Sequence, residues 1–372
     1  MKENKLENFL ADLENRGIIS AVANKENFLA LETSQQCLYL GIDCTADSLH
    51  IGHLFQLIQI IRFATIGFRI ILILGGATSK IGDPSDKLKE RPQLEVKEIE
   101  NSYQQITTQL TNLLLTRKKM LNFIPLKKFY FEDLDLLSKI YQILQLDKQN
   151  PEKKYWQYIW PLSENNSSFQ LFNNNDWLSK LSFVDFIDQV GRKITINYLL
   201  AKETIKQRVN SENGLSFMAF SYSLLQAYDF YYLYEKYNCH GQLGGSDQWG
   251  NITSGLKLIR SYYPENKCFV LTCNTLVDKE GKKISKTGNQ KTIWLSLEKT
   301  SFQDLYDFFS NMSDEQVIIY VKQFTFLSDE QIEKLLVLNN PPKLRILQRI
   351  LLELIFYLLH QQKGLDYLVK KS

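Results

Sequence analysis

Histidine and cysteine are scarce in this chain of 372 residues, which has only four histidines and five cysteines. The cysteines form no Cys-x-x-Cys pair, and no histidines stand near them with zinc-finger spacing. This pattern argues against structural zinc and predicts a reduced, intracellular protein. The cysteines are Cys37, Cys44, Cys239, Cys268 and Cys273.

Long apolar runs and a strong charge of one sign are also missing. The first ten residues carry Glu3 and Glu7 and lack the apolar core of a secretory signal, and no segment is long and apolar enough to predict a membrane span. We therefore expect a cytoplasmic protein with no membrane contact. Because 44 Lys and Arg balance 41 Asp and Glu, an RNA partner would need a local basic face.

Alternating patterns predict an α/β fold. A hydrophobic content of 44% allows a large core, and the length indicates more than one domain. An amphipathic helix is predicted around Leu6 to Arg16, and strand-like runs then alternate with helical patterns, which is typical of a parallel sheet. The strand-like runs are 37–42, 69–74 and 242–243. Glycine pairs end two of these runs, at 75–76 and 244–245, so a ligand is expected at the carboxyl edge of the sheet.

Residues 117–170 differ from the rest of the chain in composition. They are rich in lysine and aromatic residues and are interrupted by Pro125, Pro151 and Pro161. We interpret them as an insertion within the sheet domain. A solvated helical insertion with a small aromatic core of its own is favoured over the alternative, an RNA-facing surface that uses charge and stacking.

Beyond Trp294 the pattern is helical to the end, which predicts a second, smaller all-α domain. Ser313 and Ser328 are each followed at the third position by glutamine, as at a capped helix start. The candidate helices are 302–309, 315–324, 328–338 and 343–360.

Two of the four histidines, His50 and His53, lie between a strand-like run and the helical apolar run 54–63. A helix start offers unpaired N–H groups, and Gly52 removes a side chain that would keep a bulky anion away. We therefore predict a phosphate ligand, whose oxygens an imidazole N–H can stabilise during displacement at the α-phosphorus. The alternative is a helix start at which one histidine only caps and packs.

A second cationic motif lies far downstream, where Lys283 and Lys286 surround a small residue and glycines flank the stretch. A mobile loop of this kind can close over a triphosphate and neutralise the departing pyrophosphate. A solvated charged surface is the alternative. The histidine turn elsewhere in the chain favours the phosphate interpretation.

These two motifs resemble the signatures of the class I aminoacyl-tRNA synthetases, a His-x-Gly-His turn and a Lys-Met-Ser-Lys-Ser loop, the latter present here as Lys283-Ile284-Ser285-Lys286-Thr287. Further blocks narrow the resemblance to bacterial-type tyrosyl-tRNA synthetases; they are 41–53, 75–78 with 81–85, 220–229 and 244–251. The resemblance covers roughly the first three hundred residues apart from the insertion.

The resemblance implies a fold and an organisation. We expect a Rossmann-type parallel-sheet nucleotide-binding domain at 1–275 with its insertion at 117–170, a mobile loop at 276–292, a helical anticodon-side domain at 293–372, and a homodimer. The chain ends at Ser372, so the small C-terminal RNA-binding domain of many bacterial relatives is expected to be absent. Weak tRNA binding, help from the insertion and a shortened tRNA remain open alternatives.

The resemblance also implies an activity. The chain would join L-tyrosine to ATP, giving tyrosyl-adenylate and pyrophosphate, and transfer the tyrosyl group to the 3′ end of tRNA(Tyr). Mg²⁺ would accompany the ATP, and no dedicated metal site is expected. The alternatives are a tryptophan-specific relative, a small adenylyl- or cytidylyltransferase, and a synthetase-derived RNA-binding protein without charging activity.

Carried over position by position, the resemblance assigns the site residues. His50 and His53 would contact ATP, Lys283 and Lys286 would hold the β- and γ-phosphates, and Lys87 and Arg91 match mobile pyrophosphate-binding positions. The catalytic set is Thr45, His50, His53, Lys87, Arg91, Lys283 and Lys286. The tyrosine pocket is Tyr39 and Asp229 at the phenolic hydroxyl, with Asp83, Tyr222 and Gln226 at the α-amino group. The adenylate would be lined by Asp43, Gly52, Gln242, Gly245 and Asp247.

Chemistry supports the assignment of Asp229, because a buried carboxylate needs a donor and a phenol O–H supplies one. Ordinary core packing with a capped carboxylate is the alternative.

Three positions depart from the pattern of the resembled family. Cys44 replaces the proline usual before Thr45, which is expected to loosen that turn. Ser79 and Asp86 stand where glycine is common, which is expected to make the nearby loop less mobile. None of these changes removes a catalytic group.

Overall fold

A computed structural model describes residues 5–31, 36–83, 94–114, 134–145, 169–210, 214–277, 292–338 and 345–371. Within these ranges the strands are β1 (Ile19–Ala23), β2 (Cys37–Asp43), β3 (Arg69–Gly75), β4 (Phe169–Asn173), β5 (Gly241–Gly245) and β6 (Phe269–Cys273). The helices of the first half are α1 (Lys5–Asn15), α2 (Lys25–Leu29), α3 (Ile51–Thr65), α4 (Val96–Leu114) and α5 (Leu134–Ile143). Those of the second half are α6 (Asn175–Leu178), α7 (Phe183–Phe186), α8 (Ile196–Leu200), α9 (Glu203–Val209), α10 (Phe217–Tyr237), α11 (Trp249–Tyr262), α12 (Phe302–Ser310), α13 (Asp314–Phe324), α14 (Asp329–Leu338) and α15 (Ile346–Lys371).

The strands form one sheet in the order β1-β6-β5-β2-β3-β4. The four pairings from β6 to β4 are parallel, which confirms the predicted α/β fold. One edge pairing is antiparallel, that of β1 with β6. Strand β1 has no fully buried residue, so it lacks the continuous apolar run of a central strand. Strand β4 begins at Phe169, within the stretch interpreted as an insertion.

The chain divides into two compact units, and the sheet belongs to the first, which comprises residues 1–47, 62–107 and 167–275. The interior strand β3 is buried from its second residue to its last, as a parallel strand covered on both faces requires. Phenylalanines pack together in the same unit, with Phe28 5.1 Å from Phe269 and Phe9 5.0 Å from Phe63 between ring centroids.

The second unit comprises residues 48–61, 108–166 and 276–372 and is mainly helical. In its core Phe55 packs 5.8 Å from Phe324 between ring centroids, and the side-chain amide of Gln59 donates to the carbonyl oxygen of Gln323 at 2.9 Å. The four helices predicted after Trp294 are present. Helix α15 runs on to Lys371 with a break at Gln361, where φ is 51° and ψ is −135°. The predicted end at residue 360 coincides with this break.

Of the described helices, none combines the length and the apolar character that a bilayer crossing requires.

Candidate active site

The carboxyl ends of the parallel strands β2, β3 and β5 lie at one edge of the sheet, where the glycine pairs were predicted to approach a ligand. Asp43, the last residue of β2, pairs with Gly75, the last residue of β3. A Cβ at Gly75 would lie 2.1 Å from Oδ1 of Asp43 and 2.4 Å from Oγ1 of Thr78. Glycine is therefore needed at position 75 to leave space for the side chains of Asp43 and Thr78.

Asp229 on α10 is a buried carboxylate held by two donors. The indole N–H of Trp177 donates to Oδ1 at 2.7 Å, and the side-chain amide of Asn174 donates to Oδ2 at 3.0 Å. Burial raises the pKa of Asp229 to about 7, and these two hydrogen bonds oppose the rise. The carboxyl group therefore gains or loses its proton near neutral pH. It accepts a further hydrogen bond best when it is ionised.

Three predicted ligand residues carry buried polar atoms with no hydrogen-bond partner among the described residues. They are the hydroxyl of Tyr39, Oε1 of Gln226 and Oε1 of Gln242. Burial first, and then the charge of Asp229, raises the pKa of Tyr39, so its phenol stays protonated. Because buried polar groups are normally paired, these atoms indicate a polar ligand.

A chain of side-chain hydrogen bonds joins the two carboxylates of this edge. The amide of Asn174 donates to Asp229 and, at 3.0 Å, to Oγ1 of Thr78. Thr78 in turn donates to Oδ1 of Asp43 at 2.7 Å, and the hydroxyl of Tyr222 donates to Oδ2 of Asp43, also at 2.7 Å. The predicted site residues Asp43, Tyr222 and Asp229 therefore belong to one network.

A second polar group forms around Asp83, which is buried. Gln248 donates from its side-chain amide to Asp83 at 2.6 Å and to Asp247 at 2.9 Å, and Asn251 donates to Asp83 at 3.3 Å. Gln248 thereby brings together Asp83, predicted at the α-amino group, and Asp247, predicted at the adenylate. Gly245 ends strand β5 directly before this group.

The histidine turn belongs to the second unit. Its helix, α3, begins at Ile51, so His50 precedes the helix and His53 lies in its first turn, as predicted. The backbone N–H of Gly52 donates to Nδ1 of His50 at 3.1 Å, and the backbone N–H of His50 donates to Nδ1 of His53 at 3.2 Å. In a neutral imidazole an accepting Nδ1 places the hydrogen on Nε2, so both rings have an Nε2–H donor.

The two imidazoles stack with their centroids 3.8 Å apart and an interplanar angle of 23°. A Cβ on Gly52 would lie 3.0 Å from Cε1 of His50, so Gly52 gives room to this ring. The geometry fits two N–H donors on adjacent rings at a helix start, which is a favourable arrangement for phosphate oxygens.

Some predicted residues lie outside the described ranges: Lys87, Arg91, Asp86, Lys283, Lys286 and most of the insertion. Thr45 lies in the turn after β2. Among the described residues no cluster of three or more His, Cys, Asp or Glu side chains is placed to hold a metal ion.

Five residues of these networks were not among the predicted site residues: Thr78, Asn174, Trp177, Gln248 and Asn251. Gln248 and Asn251 lie inside the block 244–251. Their side-chain amides are hydrogen-bond donors close in sequence to Asp247, and this proximity is a signal that could have identified them. Asn174 and Trp177 follow β4, a strand that was not predicted, so no signal placed them at the carboxyl edge.

Comparison with known proteins identifies the family of the chain. The family described as tRNA synthetases class I (W and Y) matches residues 32–371. The chain therefore belongs to the W and Y family of class I tRNA synthetases, as the motif resemblance predicted.

Within this family its relatives include enzymes named tyrosine–tRNA ligase. It is 37% identical to that of Mycoplasma capricolum over 98% of this chain and 75% of the relative, and 37% identical to that of Flavobacterium johnsoniae over 99% and 75%. A C-terminally truncated mitochondrial tyrosyl-tRNA synthetase from Aspergillus nidulans is similar in structure, with a TM-score of 0.74, 26% identity, and coverage of 98% of this chain and 92% of that chain. The tyrosyl-tRNA synthetase of Archaeoglobus fulgidus, complexed with L-tyrosine, shares the fold at a TM-score of 0.58 and 15% identity, over 96% and 99% of the two chains.

Proposed function

We propose that this chain is a tyrosine–tRNA ligase. It activates L-tyrosine with ATP to tyrosyl-adenylate and pyrophosphate, and then transfers the tyrosyl group to the 3′ end of tRNA(Tyr). The observation that carries this proposal is the buried carboxylate of Asp229 near the hydroxyl of Tyr39, which has no hydrogen-bond partner in the described part of the chain. A phenolic substrate supplies both the donor that Asp229 accepts and a partner for Tyr39.

The remaining residues of the tyrosine pocket bind the α-amino end of the substrate. Asp83, Tyr222 and Gln226 bind the α-amino group, where the negative charge of Asp83 suits an ammonium ion. Oε1 of Gln226 supports this role, because it has no partner within the described ranges and can accept one ammonium hydrogen. The two ends of the amino acid are thereby fixed, and its carboxylate is oriented for attack on the α-phosphorus.

Hydrogen-bond donors and cationic side chains of the chain bind the phosphates of ATP. The Nε2–H groups of His50 and His53 stabilise phosphate oxygens as charge develops, and neither imidazole acts as a base. Lys283 and Lys286 bind the β- and γ-phosphates, and Lys87 and Arg91 bind the departing pyrophosphate. The adenylate is lined by Asp43, Gly52, Gln242, Gly245 and Asp247, and Thr45 belongs to the catalytic set. A covalent enzyme intermediate is not required. Mg²⁺ carried by ATP would neutralise part of the phosphate charge.

A homodimer in the cytoplasm is the proposed working form. Large apolar side chains are exposed along residues 183–217 of the first unit, including Phe183, Val184, Ile196 and Phe217, each between 64% and 75% exposed. Exposed apolar residues concentrated in this way mark an interaction surface, and a second copy of the chain is the proposed partner.

The test is ATP–pyrophosphate exchange driven by tyrosine. We expect Asp229→Asn to lower kcat/KM for tyrosine by about 10- to 100-fold, because one charged acceptor of a buried hydrogen bond is lost. Glu235→Gln is the matched control, since Glu235 is an exposed carboxylate on the same helix, and it should leave the exchange unchanged.

Two outcomes would overturn the proposal. Exchange driven equally well by tryptophan would indicate the tryptophan-specific alternative. Binding of tRNA(Tyr) without any exchange or charging would indicate an RNA-binding protein that has lost catalysis.

A further inference from the structure

The histidine turn is bonded to a distant part of the chain, the segment around Trp294. The N–H of Ile51 donates to the carbonyl oxygen of Ile293 at 2.9 Å, and the N–H of Leu295 donates to that of Leu49 at 2.8 Å. These bonds flank an isolated antiparallel bridge between His50 and Trp294. All these residues belong to the second unit. The bridge therefore fixes Trp294 directly opposite His50.

The side chains of the bridge also meet. The ring centroids of Trp294 and His50 are 6.0 Å apart, and their planes cross at 68°, an edge-to-face arrangement that aromatic pairs favour. His53 stacks on the same imidazole. The His50 ring is thus confined by Trp294, by His53 and by the hydrogen bond from Gly52 to its Nδ1.

Trp294 is itself held in place. Its backbone N–H donates to Oγ1 of Thr300 at 2.8 Å, and Nζ of Lys299 lies 5.3 Å from the centroid of its indole. Trp294 is only partly exposed. An indole fixed from both its backbone and its ring is a rigid surface on which another ring can be oriented.

From these contacts we propose that Trp294 is a positioning residue for the activation step: it sets the orientation of the His50 imidazole, and hence the direction of the Nε2–H. The inference rests on the proposed function for its catalytic consequence, but its structural part does not depend on catalysis. When this N–H donor points in the wrong direction, it stabilises the transition state less, whereas substrate binding in the ground state changes little. The rate constant should therefore fall, while the affinity for tyrosine is retained.

The kinetic test compares Trp294→Leu with Trp294→Phe in tyrosine-dependent ATP–pyrophosphate exchange. We expect the leucine variant to lose about 10- to 100-fold in kcat with KM for tyrosine within about twofold, and the phenylalanine variant, which keeps an aromatic face, to recover most of the rate. Leu297→Ala is the control, since Leu297 is 40% exposed in the same segment and should leave kcat unchanged. An unchanged kcat in Trp294→Leu would overturn the proposal.

The second test reads the imidazole itself. The chain has four histidines, so ¹⁵N spectra of the imidazoles should contain four sets of signals, and His50→Gln identifies that of His50. We expect the His50 ring to hold the Nε2–H tautomer in the unsubstituted protein and to exchange between tautomers in Trp294→Leu. A His50 signal that is identical in both proteins would refute the positioning role. Absence of tyrosine-dependent exchange in the unsubstituted protein would refute the proposed function alone.

Discussion

Cys44 and Ser79, two of the departures from the tyrosyl-synthetase pattern, meet in space. The buried N–H of Cys44 donates to Oγ of Ser79 at 2.6 Å. Proline at position 44 would have no N–H, and glycine at position 79 would have no hydroxyl. The preceding residues, Thr78 and Asp43, form a hydrogen bond alongside. Cys44 was expected to loosen this turn, but its N–H instead anchors the turn that carries Asp43.

A double-mutant cycle tests this compensation. Ser79→Gly should lower the free energy of unfolding by about 1–3 kcal/mol, because it leaves a buried N–H without an acceptor. In the Cys44→Pro background the same change should destabilise much less, since the N–H is already gone. Urea unfolding of the four proteins measures both steps. Equal effects of Ser79→Gly in the two backgrounds would contradict the coupling.

In the proposed tyrosine pocket, the pKa of about 7 at Asp229 is expected to make tyrosine affinity dependent on pH. A phenol O–H donates better to the ionised carboxylate, so tyrosine should bind more tightly as pH rises through 7. Between pH 8 and pH 6 the Kd should rise by about tenfold for one such proton, measurable by calorimetry without ATP. Asp229→Asn should flatten the profile; the same slope in that variant would place the titrating group elsewhere.

The raised pKa of Asp229 also makes the free energy of unfolding depend on pH. Because the pKa in the folded protein lies above its ordinary value, the contribution of Asp229 to the free energy of unfolding is present in full at acidic pH and is lost as pH rises through about 7.

Motif spacing predicted the position of the histidine turn because a strand, a glycine-containing turn and a helix follow one another locally in the sequence. The support of Asp229 was not predictable in the same way. Asn174 and Trp177 are 55 and 52 residues from Asp229, and only the pairing of β4 with β3 brings that segment to the carboxyl edge. Such contacts depend on tertiary structure, which local patterns do not encode.

Helix starts were the most predictable elements. Ser313 accepts from the backbone N–H of Gln316, whose side chain accepts from the N–H of Ser313, and the same pair of bonds joins Ser328 and Gln331. Both capping boxes follow from three-residue spacing alone. Strand β1 gave no comparable signal, because an edge strand of five partly exposed residues has no marked periodicity.

The cap of α13 can be tested by itself. Ser313→Ala should lower the free energy of unfolding by about 1 kcal/mol, since the N–H of Gln316 loses its acceptor. Chemical denaturation measures the change. Val337→Ala removes a side chain that is 77% exposed on α14 and should have little effect. Equal losses in the two variants would argue against a contribution from the cap.

For the whole molecule, the exposed apolar residues predict self-association. Phe217→Asp places a charge where the proposed dimer buries an aromatic ring, so sedimentation should show a shift from dimer to monomer. Val337→Asp is the matched control, because it adds the same charge at an exposed apolar position of the other unit. A dimer that survives Phe217→Asp, or a monomeric unsubstituted protein, would refute this surface.

Asn174 uses all of its hydrogen-bonding groups. Its amide oxygen accepts from the N–H of Ala77 at 2.9 Å, while its two hydrogens serve Asp229 and Thr78. Because Thr78 donates its own hydrogen to Asp43, Asn174 and Thr78 link Asp229, proposed at the phenolic hydroxyl, to Asp43, proposed at the adenylate. We therefore expect the ionisation of Asp229 to influence the hydrogen bonds as far as Asp43, which would couple the two proposed subsites thermodynamically through Asn174 and Thr78.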